Sequence, residues 1–114
     1  MAIHPKHTDW IKGRGIDPQL AEKLGLDTVI RNGKAWLVVP YLEDGQAVNH
    51  KYRLTSEKDY RMDDGAPLSL WNADCLKQPQ VRNGQVPVVI TEGEWDAITA
   101  MQCGFPFAVS VPNG

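Results

Sequence analysis

Residues 86–114 read VPVVITEGEWDAITAMQCGFPFAVSVPNG, and this stretch decides how the whole chain is interpreted. It begins with the short β-branched run Val88–Ile90, which predicts a strand buried on both faces. An acidic turn follows, and apolar residues then recur at helical spacing until Gly104, which stands where a helix C-cap would stand. A second apolar run occupies Phe107–Val111. Strand, helix and strand in this order predict a βαβ unit, with parallel strands joined by a right-handed helical crossover.

Acidic residues follow the first predicted strand, at the sheet edge where ligands bind in open α/β folds. Glu92 and Asp96 are four residues apart, so on a helix they would share a face and repel each other by about 0.2–0.5 kcal/mol. The helix dipole offsets part of this repulsion if both lie in the first turn, and a divalent cation would remove the rest. Gly93 is predicted to let the backbone turn sharply there. The spacing alone leaves open a simpler interpretation, in which Glu92 and Glu94 are acids that complement the dipole of a surface helix.

The composition is that of an ordinary globular protein, with 42% hydrophobic and 23% charged residues in 114. This length suits one domain or a piece of one. The net charge is −2, so no global field attracts nucleic acid, and any such contact must come from a local basic patch. Cys75 and Cys103 are not spaced like metal ligands, and a reduced, cytoplasmic setting is expected. No signal peptide or transmembrane run is recognised, so no membrane partner is expected.

Residues 1–26 predict two short helices. Thr8 is predicted to cap the first, which runs over Asp9–Arg14. The pair Asp17-Pro18 predicts the start of the second, because it places a capping side chain before a proline at the first helical position. Gly25 is predicted to stop this second helix.

Residues 27–61 predict an antiparallel sheet. The dipeptides Asn32-Gly33 and Asp44-Gly45 are strong signals for tight hairpin turns, and they separate three runs of strand-forming residues. The runs are predicted to span Thr28–Ile30, Ala35–Leu42 and Ala47–Leu54.

Basic residues cluster on the last of these strands and just after it. Alternation along Ala47–Leu54 projects Lys51 and Arg53 from the same face, and Lys58 and Arg61 follow. Such a stripe is a candidate contact for nucleotide or nucleic-acid phosphates. The residues alone equally allow a solvated sheet face, because acidic neighbours dilute the charge.

Residues 62–85 are rich in turn-forming glycine, proline and asparagine, and they predict a linker. Leu68, Leu70 and Trp71 are predicted to dock this linker onto the core, and Trp71 is interpreted as a packing residue in preference to a base-stacking one. The predicted class is α+β. The predicted domains are N-terminal helices over 1–26, an antiparallel β subdomain with its linker over 27–85, and an incomplete βαβ unit over 86–114.

Four segments resemble the DnaG-type and phage-type primase-helicase family of DNA primases, which share a Toprim domain. The segment Ile90–Asp96 is similar to the first Toprim motif, in which a strand ends in Glu-Gly and an Asp stands four residues after the Glu. Asn113-Gly114 is similar to the small-residue turn after the next strand. Leu70-Trp71-Asn72 resembles a motif of the phage-type primases, and WIKGRGIDPQLAEKLGL over residues 10–26 resembles the approach to the DnaG catalytic core. The likeness implies an N-terminal subdomain followed by the first half of a Toprim fold.

The resemblance implies a magnesium-dependent nucleotidyltransferase that makes RNA primers on single-stranded DNA during replication. It assigns Glu92 and Asp96 as catalytic and metal residues. Glu92 would be a direct metal ligand or the general base for the primer 3′-hydroxyl, and Asp96 would orient the waters of the metal. Nucleotide or nucleic-acid binding is assigned to the basic side chains Lys51, Arg53, Lys58 and Arg61.

The implied cofactor is Mg²⁺ or Mn²⁺, bound weakly by this chain, and no zinc is expected. The implied partners are a single-stranded DNA template, nucleoside triphosphates, and a helicase domain in the same longer chain or in trans. A phage or prophage-like replication system fits this likeness.

Two family features are not matched, namely the later strand that ends in Asp-x-Asp and the phosphate-binding loop of a helicase motor. We therefore expect a fragment of a larger primase or primase-helicase, inactive by itself. Two alternatives stay open at this point. One is a non-catalytic module that binds nucleic acid or nucleotide, and the other is part of a Toprim nuclease or topoisomerase. The Leu-Trp-Asn motif and the N-terminal helices favour the primase over the latter.

Overall fold

The fold was analysed in a computed structural model, which describes residues 3–112. The helices are α1 (Pro5–Gly13), α2 (Pro18–Lys23), a 3₁₀ helix (Ala73–Lys77), α3 (Pro79–Arg82) and α4 (Glu94–Gln102). The strands are β1 (Asp27–Arg31), β2 (Lys34–Glu43), β3 (Gln46–Arg53), β4 (Tyr60–Met62), β5 (Val89–Thr91) and β6 (Ala108–Ser110). In the described part of the chain they form a sheet in the order β1-β2-β3-β4 and a separate pair β5-β6. The predicted α+β class is confirmed.

The chain forms two compact units whose segments alternate along the sequence. The first contains Met1–Pro40 and Asn49–Ala66, and the second contains Tyr41–Val48 and Pro67–Gly114. The three-part division at residues 26 and 85 stays a prediction about domains.

In the first unit, α1 begins earlier than its sequence pattern predicts. A helix covers most of the predicted range 9–14, but the predicted Thr8 cap is wrong, because the helix starts at Pro5 and ends at Gly13. Proline suits the first helical position since its missing N–H would have no partner there. The His4 ring caps this end by accepting a hydrogen bond from the Lys6 amide at 3.1 Å.

The start of α2 follows the prediction. Pro18 is its first residue, and the Asp17 carboxylate accepts a hydrogen bond from the Gln19 amide at 2.9 Å. The cap therefore satisfies one of the backbone donors that every helix leaves free at its N-terminus.

Both predicted hairpin turns are confirmed. Asn32 and Gly33 have φ values of 52° and 73°, and Asp44 and Gly45 have φ values of 52° and 78°. Positive φ at both central residues is what tight hairpins with a type I′ turn require. The β1–β2 pair is antiparallel, with Ile30 opposite Ala35.

The apolar side chains of this sheet form a core within the first unit. Trp36 and Val38 on β2 pack with Tyr52 on β3 and with Leu54, which follows β3, and Val29 packs against this cluster. This packing gives the β3 segment a fixed place in the sheet, and with it the basic residues that this strand carries.

In the second unit, β5 and β6 are parallel, with Val89 opposite Ala108 and Thr91 opposite Ser110. The predicted parallel pairing is confirmed, and α4 connects the two strands. The expectation that β5 is buried on both faces is wrong, because Ile90 is 71% exposed. Among the described residues β5 pairs with β6 alone, so one of its edges has no neighbouring strand.

The Leu-Trp-Asn segment lies along the other edge of β6. The Trp71 amide donates to the Ser110 carbonyl at 2.9 Å, and the Ser110 amide donates to the Trp71 carbonyl at 3.3 Å. The Asn72 side-chain amide donates to the Ala108 carbonyl at 3.0 Å. Trp71 is 3% exposed, which confirms its packing role. Leu68 is 62% exposed, so its predicted docking is wrong.

Another set of hydrogen bonds in this unit joins the β2–β3 turn to the 3₁₀ helix. The Asp74 carboxylate accepts hydrogen bonds from the Asp44 amide at 2.8 Å and the Gly45 amide at 3.0 Å. These backbone donors, first Gly45 and then Asp44, hold the pKa of Asp74 below its usual value. Residues 73–77, predicted as linker, thus have a defined structural role. Over residues 3–112, every helix is too short or too polar to span a membrane.

Candidate active site

The acidic turn joins β5 to α4 at the carboxyl end of the strand. Gly93 is the N-cap of α4, so Glu92 precedes the helix. The acids of the first helical turn are Glu94 and Asp96, and the expectation that Glu92 lies in this turn is wrong. Glu92 and Asp96 are therefore not spaced along one helix. Glu92 is the last residue before the N-cap of α4, and Asp96 lies in the first turn of that helix.

Exposure distinguishes the three acids of this segment. Glu92 and Asp96 are exposed, whereas Glu94 is 2% exposed and its neighbour Trp95 is also buried. The Glu94 carboxylate accepts a hydrogen bond from the buried hydroxyl of Tyr41. Glu94 is therefore not the surface acid of the simpler interpretation. The two acids that the resemblance marks are the ones that face solvent.

Hydrogen bonds fix the backbone on both sides of Glu92. The Thr91 hydroxyl lies 2.9 Å from the Gly93 carbonyl oxygen and 3.2 Å from the Val109 carbonyl oxygen, and it can donate to either. The Val111 amide donates to the Thr91 carbonyl at 3.1 Å. The chain thus leaves β5 and enters α4 along a defined path, which limits the positions that the Glu92 carboxylate can reach.

Gly93 does not make the sharp turn that the sequence predicts. Its φ of −135° and ψ of 153° are extended values that any residue adopts, and a Cβ atom placed there would meet nothing within 4 Å. A glycine at an N-cap also supplies no side-chain acceptor for the helix. The described fold therefore does not require glycine at this position.

Replacing Gly93 with serine is expected to stabilise the protein by about 0.5–1 kcal/mol, since a serine N-cap accepts a backbone hydrogen bond and restricts the unfolded chain. Urea unfolding followed by circular dichroism measures this change. Gly93→Ala is the matched control, and it should be near neutral because it adds a Cβ without an acceptor. A loss of more than about 1 kcal/mol in both variants would mean that the fold itself requires glycine.

The four basic candidates have different surroundings. Lys51 is only 8% exposed, and its ammonium nitrogen lies 4.7 Å from the centre of the Tyr60 ring. Arg53 is half-buried, with its guanidinium carbon 5.2 Å from the centre of the Trp10 ring. The interpretation of this stripe as a solvated sheet face is wrong for Lys51. Burying cations against aromatic rings fixes where their charge lies.

Lys58 and Arg61 are the exposed pair. A guanidinium nitrogen of Arg61 lies 3.8 Å from a carboxylate oxygen of Asp59. Surface ion pairs of this kind contribute little stability. Arg61 also lines a cavity of about 320 Å³. The other lining residues are Arg31, Asn32, Trp36, Tyr52, Met62, Asp63 and Asp64.

Arg31 is a cationic residue of this region that the sequence analysis missed. Its guanidinium lies 4.3 Å from the centre of the Tyr52 ring, and one of its nitrogens donates to the Tyr52 hydroxyl at 3.3 Å. That hydroxyl donates in turn to Asp63 at 2.7 Å. Arg31 stands directly before the first hairpin turn, and no spacing signal marks it, because its neighbours come from β3 and from the residue after β4.

The acidic turn offers the type of ligand atom that a divalent cation prefers. Its exposed donors are carboxylate oxygens, the ligand type that Mg²⁺ and Mn²⁺ prefer. Over residues 3–112, no group of three or more His, Cys, Asp or Glu side chains is arranged to hold a metal ion. Mg²⁺ commonly takes one or two protein carboxylates and completes its shell with waters and phosphates. Glu92 and Asp96 could therefore supply part of such a site.

The predicted site residues fall into two groups. Glu92 and Asp96 belong to one segment of the second unit, whereas Lys51, Arg53, Lys58 and Arg61 belong to the first unit. Within the first unit, β3 and β4 are antiparallel, with Tyr52 opposite Arg61. The predicted turn at Asn113-Gly114 lies outside the described residues.

No protein-family model matches the chain, and no curated protein matches it. Solved structures do match. The primase fragment of the bacteriophage T7 primase-helicase has a TM-score of 0.68 and 27% identity, over 90% of this chain and 41% of that one. A DNA primase domain from Pseudomonas aeruginosa has a TM-score of 0.67 and 17% identity, over 96% and 47%. The DnaG catalytic core has a TM-score of 0.67 and 11% identity, over 97% and 48%.

These matches confirm the resemblance to primases of the DnaG and phage type. The Pseudomonas and DnaG structures show the fold alone. The T7 match adds sequence similarity, and T7 primase domains are also known in a complex with the lagging-strand DNA polymerase, an RNA/DNA hybrid and dTTP. This chain spans less than half the length of each of the three primase structures described above.

Proposed function

We propose that this chain is part of a DNA primase and carries the first acidic motif of a Toprim domain. In this proposal it takes part in RNA primer synthesis on a single-stranded DNA template. One observation carries the proposal beyond the likeness of fold. Glu92 and Asp96 both face solvent at the carboxyl end of a parallel strand, whereas Glu94 and Trp95 between them are buried. Ligands of open α/β folds bind at such an edge.

The proposed chemistry assigns separate roles to the two exposed acids. Glu92 would hold a divalent cation or accept the proton of the primer 3′-hydroxyl, and Asp96 would orient the waters of that ion from the first turn of α4. Bound Mg²⁺ or Mn²⁺ would stabilise the attacking and leaving oxygens of an in-line displacement. The bare backbone at Gly93 leaves room for a substrate group beside these acids.

The basic residues are proposed to contact phosphates of the template or of nucleoside triphosphates. Lys58 and Arg61 are exposed, so their long side chains can follow a nucleic-acid strand as it moves. Lys51 and Arg53 lie against aromatic rings, so they would present charge at a fixed position. Fixed charges stabilise a phosphate more effectively than mobile ones, since they need no reorganisation. A helicase in the same longer chain or in trans is the further partner that the likeness to the T7 primase-helicase supports.

A second candidate function is a non-catalytic module that binds nucleic acid or nucleotide. It is favoured by the small number of metal donors, because no three metal-binding side chains meet within the described range of residues 3–112. Dinucleotide formation from labelled nucleoside triphosphates on a single-stranded template distinguishes the two functions when it is measured in a longer form of the protein that includes this chain, because only the primase role predicts that Glu92→Gln lowers it. We expect residues 1–114 alone to form none, since two carboxylates do not complete a catalytic metal shell.

Lys58→Ala and Arg61→Ala are each expected to weaken single-stranded DNA binding. Each replacement that leaves one phosphate without its cation should reduce the magnitude of the slope of log affinity against log salt by about 0.7. Fluorescence anisotropy with a labelled oligonucleotide, titrated at several salt concentrations, measures both effects.

Lys23→Ala is the matched control for this experiment. Lys23 is an exposed lysine on α2, so its replacement removes the same charge from a different element of the fold. Equal weakening by all three replacements would indicate a general loss of positive charge, and it would contradict a specific role for Lys58 and Arg61.

A further inference from the structure

We infer that Glu94 is a positioning residue, whose buried carboxylate fixes the turn that presents Glu92 and Asp96. The inference deepens the proposed function and rests on it only for the roles of those two exposed acids. Glu94 itself is 2% exposed, so it does not face the site as they do. It acts through its contacts inside the second unit.

Three buried side chains from three elements meet at this point. Tyr41 comes from β2, Glu94 is the first residue of α4, and Ser110 is the last residue of β6. The Tyr41 hydroxyl donates to the Glu94 carboxylate, and Ser110 forms a side-chain hydrogen bond with Tyr41. Burial, and then the Glu94 carboxylate, raise the pKa of Tyr41, so the phenol keeps the proton that it donates. We call these residues the buried triad.

A buried carboxylate needs such partners. Removing a donor from it leaves the desolvation of the charged group uncompensated. Glu94 also begins a helix, where the dipole favours a negative charge. Because these contributions depend on the carboxylate staying in one place, they hold the start of α4 against β2 and β6 within this unit.

The exposed acids lie on either side of the residue that is held. Glu92 precedes the Gly93 cap, and Asp96 follows Glu94 by two residues. Two backbone hydrogen bonds hold the segment that carries these acids. The Ala97 amide donates to the Gly93 carbonyl at 3.3 Å, and the Val111 amide donates to the Thr91 carbonyl. If the buried triad sets this turn, loosening it should open these two hydrogen bonds before the rest of the unit.

Tyr41→Phe tests the inference, since it removes one hydroxyl and keeps the ring. Amide hydrogen exchange followed by NMR should show about tenfold faster exchange at Ala97 and Val111. Tyr52→Phe is the matched control, because Tyr52 is also a buried tyrosine whose hydroxyl donates to a carboxylate, that of Asp63. It should leave exchange at Ala97 and Val111 unchanged. Equal exchange in the wild type and Tyr41→Phe would overturn the inference.

Glu94 variants keep the test decisive if Tyr41→Phe fails to fold. Glu94→Gln retains an oxygen that accepts from Tyr41, so exchange at the same amides should stay within about threefold of the wild type. Glu94→Leu has no acceptor and should match the expected effect of Tyr41→Phe. If Glu94→Gln exchanges as fast as Glu94→Leu, Glu94 does not act by accepting this hydrogen bond, and the inference fails.

Manganese binding separates this inference from the proposed function. With Mn²⁺ as the probe and electron paramagnetic resonance as the measurement, Tyr41→Phe should weaken binding about threefold or more, and Tyr52→Phe should not. If the wild type binds no Mn²⁺, the metal role of Glu92 and Asp96 fails, and the exchange rates at Ala97 and Val111 still decide the positioning role.

Discussion

Glu92→Gln is expected to lower primer synthesis on the order of a hundredfold or more, because it removes the charge that would hold a cation or accept a proton while keeping the side-chain shape. Glu92 is exposed and lies outside α4, so its replacement should change the unfolding free energy by less than about 0.5 kcal/mol. The loss of primer synthesis would then come from the chemical step and not from unfolding. The assay is dinucleotide formation on a single-stranded template, in the shortest form of the protein that makes primers.

Two further variants serve as comparisons for Glu92→Gln. Asp96→Asn should impair synthesis less, since its proposed role is to support the ion that Glu92 holds. Glu22→Gln neutralises an exposed acid on α2 and should leave synthesis unchanged. Undiminished synthesis by Glu92→Gln would refute the catalytic role of this residue, whatever the result for Asp96.

Trp71→Ala is expected to destabilise the protein by about 3–5 kcal/mol, the range for truncating a large buried aromatic side chain. Trp71 is buried, and its backbone pairs with Ser110 of β6. The replacement leaves a cavity beside the strand that also carries one residue of the buried triad. Since small domains have only about 5–15 kcal/mol of stability in total, the second unit should unfold at a much lower urea concentration.

Leu68→Ala provides the control for Trp71→Ala. Leu68 is an exposed apolar residue of the same linker, and its replacement should cost less than about 0.5 kcal/mol. Urea unfolding by circular dichroism compares the two variants. A Trp71→Ala protein of normal stability that no longer binds single-stranded DNA would instead support the base-stacking role that the buried position argues against.

Local signals in the sequence predicted most of the elements. The dipeptides Asn32-Gly33 and Asp44-Gly45 required positive φ, and both became hairpin turns. Asp17-Pro18 began α2, and the strand–helix–strand pattern of residues 86–111 became a parallel pair joined by α4. These features depend on the conformations of a few neighbouring residues, so a short stretch of sequence is enough to specify them.

The sequence also selected Glu92 and Asp96 as candidates, through their spacing and the resemblance to primases. Their exposure is consistent with that choice, and their roles stay predictions. The sequence could not show that Glu94 between them is buried. Its partner Tyr41 is 53 residues away along the chain, and the pattern around Glu94 is that of any acidic helix start.

Burial was decided by the tertiary structure throughout this chain. Lys51 is covered although its strand alternates as a half-solvated strand would, and Ile90 is exposed although it ends an apolar run. A residue is buried when another segment packs on it, and that segment is set by the whole fold. The sequence by itself therefore determined which elements form and which side chains could do chemistry. Only the tertiary structure determined which of these side chains face solvent and which hold the others in place.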